Sequence, residues 1–254
     1  MSLRLSAIIN GASSLRIPPA FPQRDIRQDQ PMTDFQAARL NMVESQVRCN
    51  AVTDRRVIKA VSDIPRERFV PQSSQGYAYM DEDLKIADGG RDGVSRYLME
   101  PRAFGKLVQL AEVDSTDLVL DIGCGTGYSA AVLAKLGSAV VALECDEDLA
   151  KRASTTLNDL GIDNAAVVTG PLEEGYADQA PYDVIFFNGS IEDVPSALFE
   201  QLKDNGRLVA VVGNETAGSA MVYTRAGDDV SGRNAFDALV QPLPGFRRAK
   251  AFVF

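Results

Sequence analysis

From residue 118 to residue 212 the chain alternates short apolar runs with stretches of helical periodicity, and this alternation leaves few folds open. The runs at 118–122 and 140–143 are apolar at nearly every position, as expected of strands buried on both faces. Strands are predicted at 118–122, 140–143, 166–169, 184–187 and 208–212. Helices are predicted at 128–136, at 148–160 with Gly161 as the stop, and at 195–202. Repeated strand–helix–strand units call for an α/β fold, with a mostly parallel sheet flanked by helices. Residues 221–223 and 251–254 are weaker strand candidates.

Upstream of this pattern the chain is predominantly helical. Thr33 or Asp34 can cap a first helix whose apolar face carries Leu40, Val43 and Val47. A second helix fits 54–61, with Val57, Ile58 and Val61 turned inward, and Pro65 stops it. The segment 69–96 mixes Pro, Gly, Ser and acids and reads as loop, with Tyr77 and Tyr79 packed beneath it. Pro101 opens a further helix carrying Phe104, Leu107, Val108 and Ala111. Residues 1–31 are rich in Ser, Pro and Arg, and Pro18, Pro19, Pro22 and Pro31 oppose regular structure. They are expected to form a flexible leader before a single domain, 32–254, made of N-terminal helices and a long loop (32–112) and an α/β core (113–254).

Composition narrows the chemistry. A net charge of -9 argues against a nucleic-acid partner, because that binding rests on neutralising phosphates with Lys and Arg. The chain has no histidine, which removes histidine triads and histidine-ligated metal sites. Cys49, Cys124 and Cys145 have no metal-like spacing, so no metal is expected, and free thiols point to the cytoplasm. The apolar piece at 5–9 is too short to span a membrane, and no membrane association is expected.

The heptapeptide Asp121-Ile-Gly-Cys-Gly-Thr-Gly127 joins the first predicted strand of the core to its helix. Glycines at alternate positions let the backbone turn tightly and approach a ligand with no Cβ in the way. The spacing is not the usual dinucleotide fingerprint, and no lysine follows to grip a triphosphate. Glu144 closes the second predicted strand, where an acid can accept hydrogen bonds from the two hydroxyls of a ribose.

These residues carry a resemblance. The block Asp121–Gly127 with Glu144 looks like the cofactor site of class I methyltransferases. Six further stretches are similar to the protein-L-isoaspartate O-methyltransferase family: residues 61–71, 78–86, 125–134, 181–185, 194–203 and 205–213. The resemblance implies a Rossmann-like sheet of seven strands with an N-terminal helical extension, and S-adenosyl-L-methionine as cofactor. It further implies methyl transfer to the free α-carboxylate of an L-isoaspartyl residue in a damaged protein or peptide, the expected partner. The oligomeric state is not legible. On that reading Gly123 and Gly125 offer backbone to the methionine part of the cofactor and Asp121 orients its amino group. Gly127 serves either the ligand or helix–strand packing, and Cys124 and Cys145 stand beside the ligand as bystanders.

The chain also departs from the family. Tyr97-Leu-Met99 stands in place of Thr-Ile-Ser, a segment that in the family helps orient the isoaspartyl carboxylate, and the loop from Ala87 to Arg96 is longer. Gly170-Pro-Leu172 replaces Gly-Asp-Gly, leaving Leu172 to pack against the adenine, and Asn188-Gly-Ser190 replaces a small polar segment. Ser95, Tyr97 and Ser190 are the candidates to supply the missing hydroxyls. Asp81 and Asp83 either flank the substrate pocket or are solvated loop acids. A carboxylate is already ionised at pH 7 and needs no general base, so the lack of histidine suits this chemistry. Two alternatives stay open: transfer to a different protein or small molecule, and a cofactor-binding regulator without turnover.

Overall fold

The computed structural model describes residues 34–247 apart from Glu215; the leader and the strand candidate at 251–254 lie outside the described residues. Two short antiparallel strands, β1 (Leu84–Ala87) and β2 (Arg96–Leu98), form a hairpin inside the segment read from sequence as loop. The main sheet holds seven strands: β3 (Leu118–Ile122), β4 (Ala139–Glu144), β5 (Ala165–Thr169), β6 (Tyr182–Ile191), β7 (Leu202–Gly213), β8 (Gly218–Ala226) and β9 (Asp229–Asp237). Their order is β5-β4-β3-β6-β7-β8-β9, parallel from β5 to β7 and antiparallel beyond. Going outward from β3, the chain fills one side of the sheet and then the other. The ends of β3 and β6 therefore flank a topological switch point, where open α/β sheets bind ligands.

Burial on both faces explains why the parallel strands were legible as apolar runs. Val119, Val184 and Phe186 join one apolar layer with α1 (Phe35–Met42), α2 (Arg55–Asp63), α3 (Pro101–Leu110), α4 (Tyr128–Ala134) and α5 (Glu147–Asp159). Leu120, Ile122, Ile185 and Phe187 face the opposite layer, with α6 (Ser196–Glu200) and Leu243. Adjacent residues facing opposite layers is the period-two signature of a strand. The N-terminal layer is tied to the sheet by aromatic packing. Tyr128 meets Phe69 and Phe104 at centroid distances of 5.5 and 5.2 Å, and Phe104 meets Phe186 edge-on at 6.2 Å. Each pair contributes about 0.5–1.5 kcal/mol beyond its area.

Asp34 caps α1 by accepting from Ala37 N at 3.0 Å, and Asp54 caps α2 by accepting from Arg56 N at 2.7 Å. The first helix departs from expectation in one respect: Leu40 is exposed while Met42, Val43 and Val47 are buried. From Val43 to Val47 the backbone widens into a π-helix, and that change of pitch moves the buried face off the i, i+3, i+7 line through Leu40. Tyr77 is also exposed rather than packed beneath its loop. Among the described residues no helix is long and apolar enough to cross a membrane.

Candidate active site

The turn after β3 has the backbone that its glycines were expected to permit. Gly123, Gly125 and Gly127 all take positive φ, at 79°, 58° and 95°. Gly123 N and Cys124 N donate to Leu143 O at 2.9 and 3.2 Å, which binds the turn to the end of β4. Glu144 reaches back across it. Its Oε2 accepts from Gly125 N at 2.7 Å, and its Oε1 accepts from Cys145 N at 2.9 Å and Asp146 N at 3.2 Å. A fourth donor also meets Oε1: Arg96, on β2, gives its Nη1 to Glu144 and its Nη2 to Gly123 O at 3.0 Å. Burial opposes a charged guanidinium, but Glu144 outweighs it and holds the Arg96 pKa above its ordinary range.

Asp121 is fully buried at the end of β3. Its Oδ2 accepts from Ser129 Oγ at 2.6 Å, while its Oδ1 has no partner among the described residues. Burial pushes its pKa up to about 7, with the nearby Glu144 adding to the rise and Ser129 opposing it. Asn188 donates to Gly123 O at 3.2 Å, on the same carbonyl that Arg96 uses. Cys124 is buried and its thiol is held far above the ordinary range by that burial; burial likewise pushes Cys145 up to about 11, so neither is a ready nucleophile. Gly127 faces α5: a Cβ there would stand 3.1 Å from Ala153 Cβ, which favours packing over ligand contact. Leu172 lies fully buried in the apolar layer that contains Leu143 and Phe187.

The substrate-side candidates are gathered only in part. Asp83, Tyr97 and Asn188 line one narrow gap with Arg96, Met99 and Leu243, and its volume is about 10 Å3, room for at most one water. Asp83 accepts from Glu100 N at 2.8 Å and Asp81 from Arg102 N at 3.3 Å, so both carboxylates serve the start of α3. Burial raises the Asp83 pKa. Ser95 Oγ accepts from Gly89 N inside the hairpin loop at 3.3 Å. Ser190 Oγ donates to Val240 O at 3.0 Å, and Ser190 borders a larger cavity of about 420 Å3 instead. Arg66 fixes the whole segment: buried over the Tyr128 ring, it donates to Ala78 O and Met99 O, each at 2.7 Å.

Sequence reasoning overlooked Arg96, Ile86 and Leu243. Ile86 Cδ1 and Leu243 Cδ2 each come within 2.7 Å of where a Cβ on Gly125 or Gly123 would stand, so both glycine surfaces are covered. A signal for Arg96 existed. Val94, Arg96 and Leu98 alternate with Ser95 and Tyr97, and strand parity puts the arginine on the buried side with Val94 and Leu98.

Residues 38–243 match the model of the family described as protein-L-isoaspartate(D-aspartate) O-methyltransferase. This chain belongs to that family. The family's member from Koribacter versatilis is 35% identical over 214 residues, which cover 84% of this chain and 94% of that one. A relative from Methanoculleus marisnigri is 39% identical over 175 residues, covering 69% and 77% of the two chains. A solved protein-L-isoaspartate O-methyltransferase superposes with a TM-score of 0.70 at 28% identity, over 82% of this chain and 66% of that one. The Plasmodium falciparum structure described as a putative member, in complex with S-adenosyl-L-homocysteine, shares the fold with a TM-score of 0.66 at 18% identity, over 80% of this chain and 96% of that one. The fold is therefore the class I Rossmann-like methyltransferase fold, with a seven-stranded sheet and an N-terminal helical extension, and the family is one of S-adenosylmethionine-dependent methyltransferases.

The residues fit the family's cofactor in chemistry. The partnerless buried Asp121 Oδ1 suits an ammonium, the left-handed glycines present bare backbone, and Glu144 is an acid at a strand end. The space between them is filled by Arg96 and Leu243.

Proposed function

We propose that this chain transfers the methyl group of S-adenosylmethionine to the free carboxylate of L-isoaspartyl residues in damaged proteins or peptides. The observation that carries the reading is the glycine turn locked by Gly125 N to Glu144 at the switch point of the family's fold. When bound, the cofactor supplies an electrophilic methyl group on a sulfonium. The chain's own task is then to hold and orient. Asp121 accepts the ammonium, Glu144 accepts the ribose hydroxyls, and the bare backbone at Gly123 and Gly125 allows close approach. A substrate carboxylate needs no deprotonation, so catalysis rests on bringing one of its oxygens into line at near-attack distance. Tyr97, Asn188 and Gln241 border the gap and carry donors that could meet the carboxylate. Three free thiols suit a reducing compartment such as the cytoplasm.

A second reading is favoured by one observation. Met99 is a buried apolar residue where the family carries a serine, which suits a changed substrate or a cofactor-binding regulator without turnover. Methyl transfer from radiolabelled cofactor to an isoaspartyl peptide and to its aspartyl twin separates the readings. Label in the isoaspartyl peptide alone supports repair methylation; cofactor binding without label in either peptide supports the second reading.

A further inference from the structure

The two oxygens of the Glu144 carboxylate are unequally used: Oε1 takes three N–H donors and Oε2 takes one. Three of these four donors are backbone N–H groups, Gly125 in the glycine turn and Cys145 and Asp146 where β4 leads into α5, and they cannot leave without unmaking the local backbone. The fourth is the guanidinium of Arg96, a side-chain donor far stronger than the Cys145 thiol that also meets Oε1 at 3.5 Å. Gly123 O is full, with Arg96 and Asn188 as its two donors. The guanidinium thus holds the acceptors that a ligand with ribose hydroxyls and a cationic group would use.

Two further contacts close the same space. Leu243 lies on Gly123 and Ile86 on Gly125, which takes away the bare backbone that the glycines otherwise present. Leu243 is set there by the strand-like run of its segment along β6: Ser190 N donates to Gln241 O and Leu243 N to Ser190 O, both at 2.9 Å. The loop joining β1 to β2 is fastened over the mouth. Arg91 pairs with both oxygens of Glu173 at 2.5 and 3.0 Å, and Asp92 accepts from Gly245 N at 3.0 Å. These outer bonds are partly exposed and hold weakly. The Arg96–Glu144 pair is the buried one and decides the balance.

We propose that Arg96 is an internal occupant of the cofactor seat, and that the β1–β2 hairpin which carries it is a lid, so that cofactor binds only when Arg96 leaves Glu144. The inference rests on Glu144 and the glycine turn forming the cofactor site. Space for opening exists: Leu243 also borders the cavity of about 420 Å3, which can receive its side chain.

Calorimetry of S-adenosylhomocysteine binding to the full chain tests this with the native protein, Arg96→Gln and Leu243→Ala. Glutamine removes the cation while Glu144 keeps its three backbone donors, and Leu243→Ala opens the seat without touching a charge. The expected result is at least tenfold tighter binding by R96Q and a smaller gain by L243A, with cooperative unfolding retained in all three. Equal affinity in all three overturns the lid while leaving the cofactor site standing, and so does a gain confined to L243A. No binding by any of the three folded proteins overturns the cofactor reading and the lid with it.

Discussion

Arg96 on β2 and Glu144 at the end of β4 form an ion pair whose side chains are 4% and 0% exposed, between two segments 48 residues apart in the chain. The pair is asymmetric. Glu144 has three backbone donors besides, whereas Arg96 has no second carboxylate within bonding distance among the described residues. Removing one partner of a buried pair costs about 3–5 kcal/mol when the other is left uncompensated. Glu144→Ala is therefore expected to destabilise by that amount and Arg96→Gln by clearly less, as read from urea unfolding midpoints. Equal losses would show that the backbone donors do not hold Glu144.

Asp121 gives a pH dependence whose sign is fixed by its burial. Its native pKa of about 7 lies above the ordinary aspartate value, so the native state favours the neutral carboxyl. The stability this brings is fully present below about pH 4 and is lost as pH rises towards 7. Relative to Asp121→Asn, the native protein should lose stability across that window, at no more than about 1.4 kcal/mol per pH unit. Parallel pH profiles for the two proteins would place the titration elsewhere.

Gly127 and Gly161 both have positive φ but differ in surroundings: a Cβ on Gly127 meets Ala153, and one on Gly161 meets nothing within 4 Å. Alanine at Gly161 should cost only the left-handed backbone term, about 1 kcal/mol, and alanine at Gly127 a further 1–3 kcal/mol or so from overpacking. Chemical denaturation of the two variants measures the difference. Similar costs would show that α5 yields and that Gly127 is free for another role.

The parallel core was legible because buried strands write themselves as uninterrupted apolar runs; β3 falls where 118–122 was expected, and β4 and β5 within a residue or two. What escaped notice is structure whose stability is not local. The β1–β2 hairpin is held from outside, by Arg66 on Met99 O and by Asp83 on Glu100 N. Strand β9 is exposed over most of its length and polar, so it carries no apolar run. At the site, the glycine turn and Glu144 could be found from spacing. The guanidinium between them could not, because its partner is remote in sequence and only the parity of residues 94–98 hinted at an inward charge.

Tyr97-Leu98-Met99 offers a test of substrate choice. Replacing it with Thr-Ile-Ser restores hydroxyl donors near the gap that Asp83 and Asn188 border. An unmade hydrogen bond to a carboxylate costs about 1–3 kcal/mol, so kcat/KM on an isoaspartyl peptide should rise by about tenfold or more, with little change on the aspartyl twin. A fall, or an equal rise on both peptides, would mean that this segment does not orient the substrate carboxylate.

The most direct measurement is a crystal structure of the native full chain grown in a large excess of S-adenosylhomocysteine. The expected result has the ribose hydroxyls on Glu144, the ammonium at Asp121, and Arg96 withdrawn from Glu144 with Leu243 lifted from Gly123. Ligand bound in full while Arg96 still holds Glu144 would contradict the competition between them.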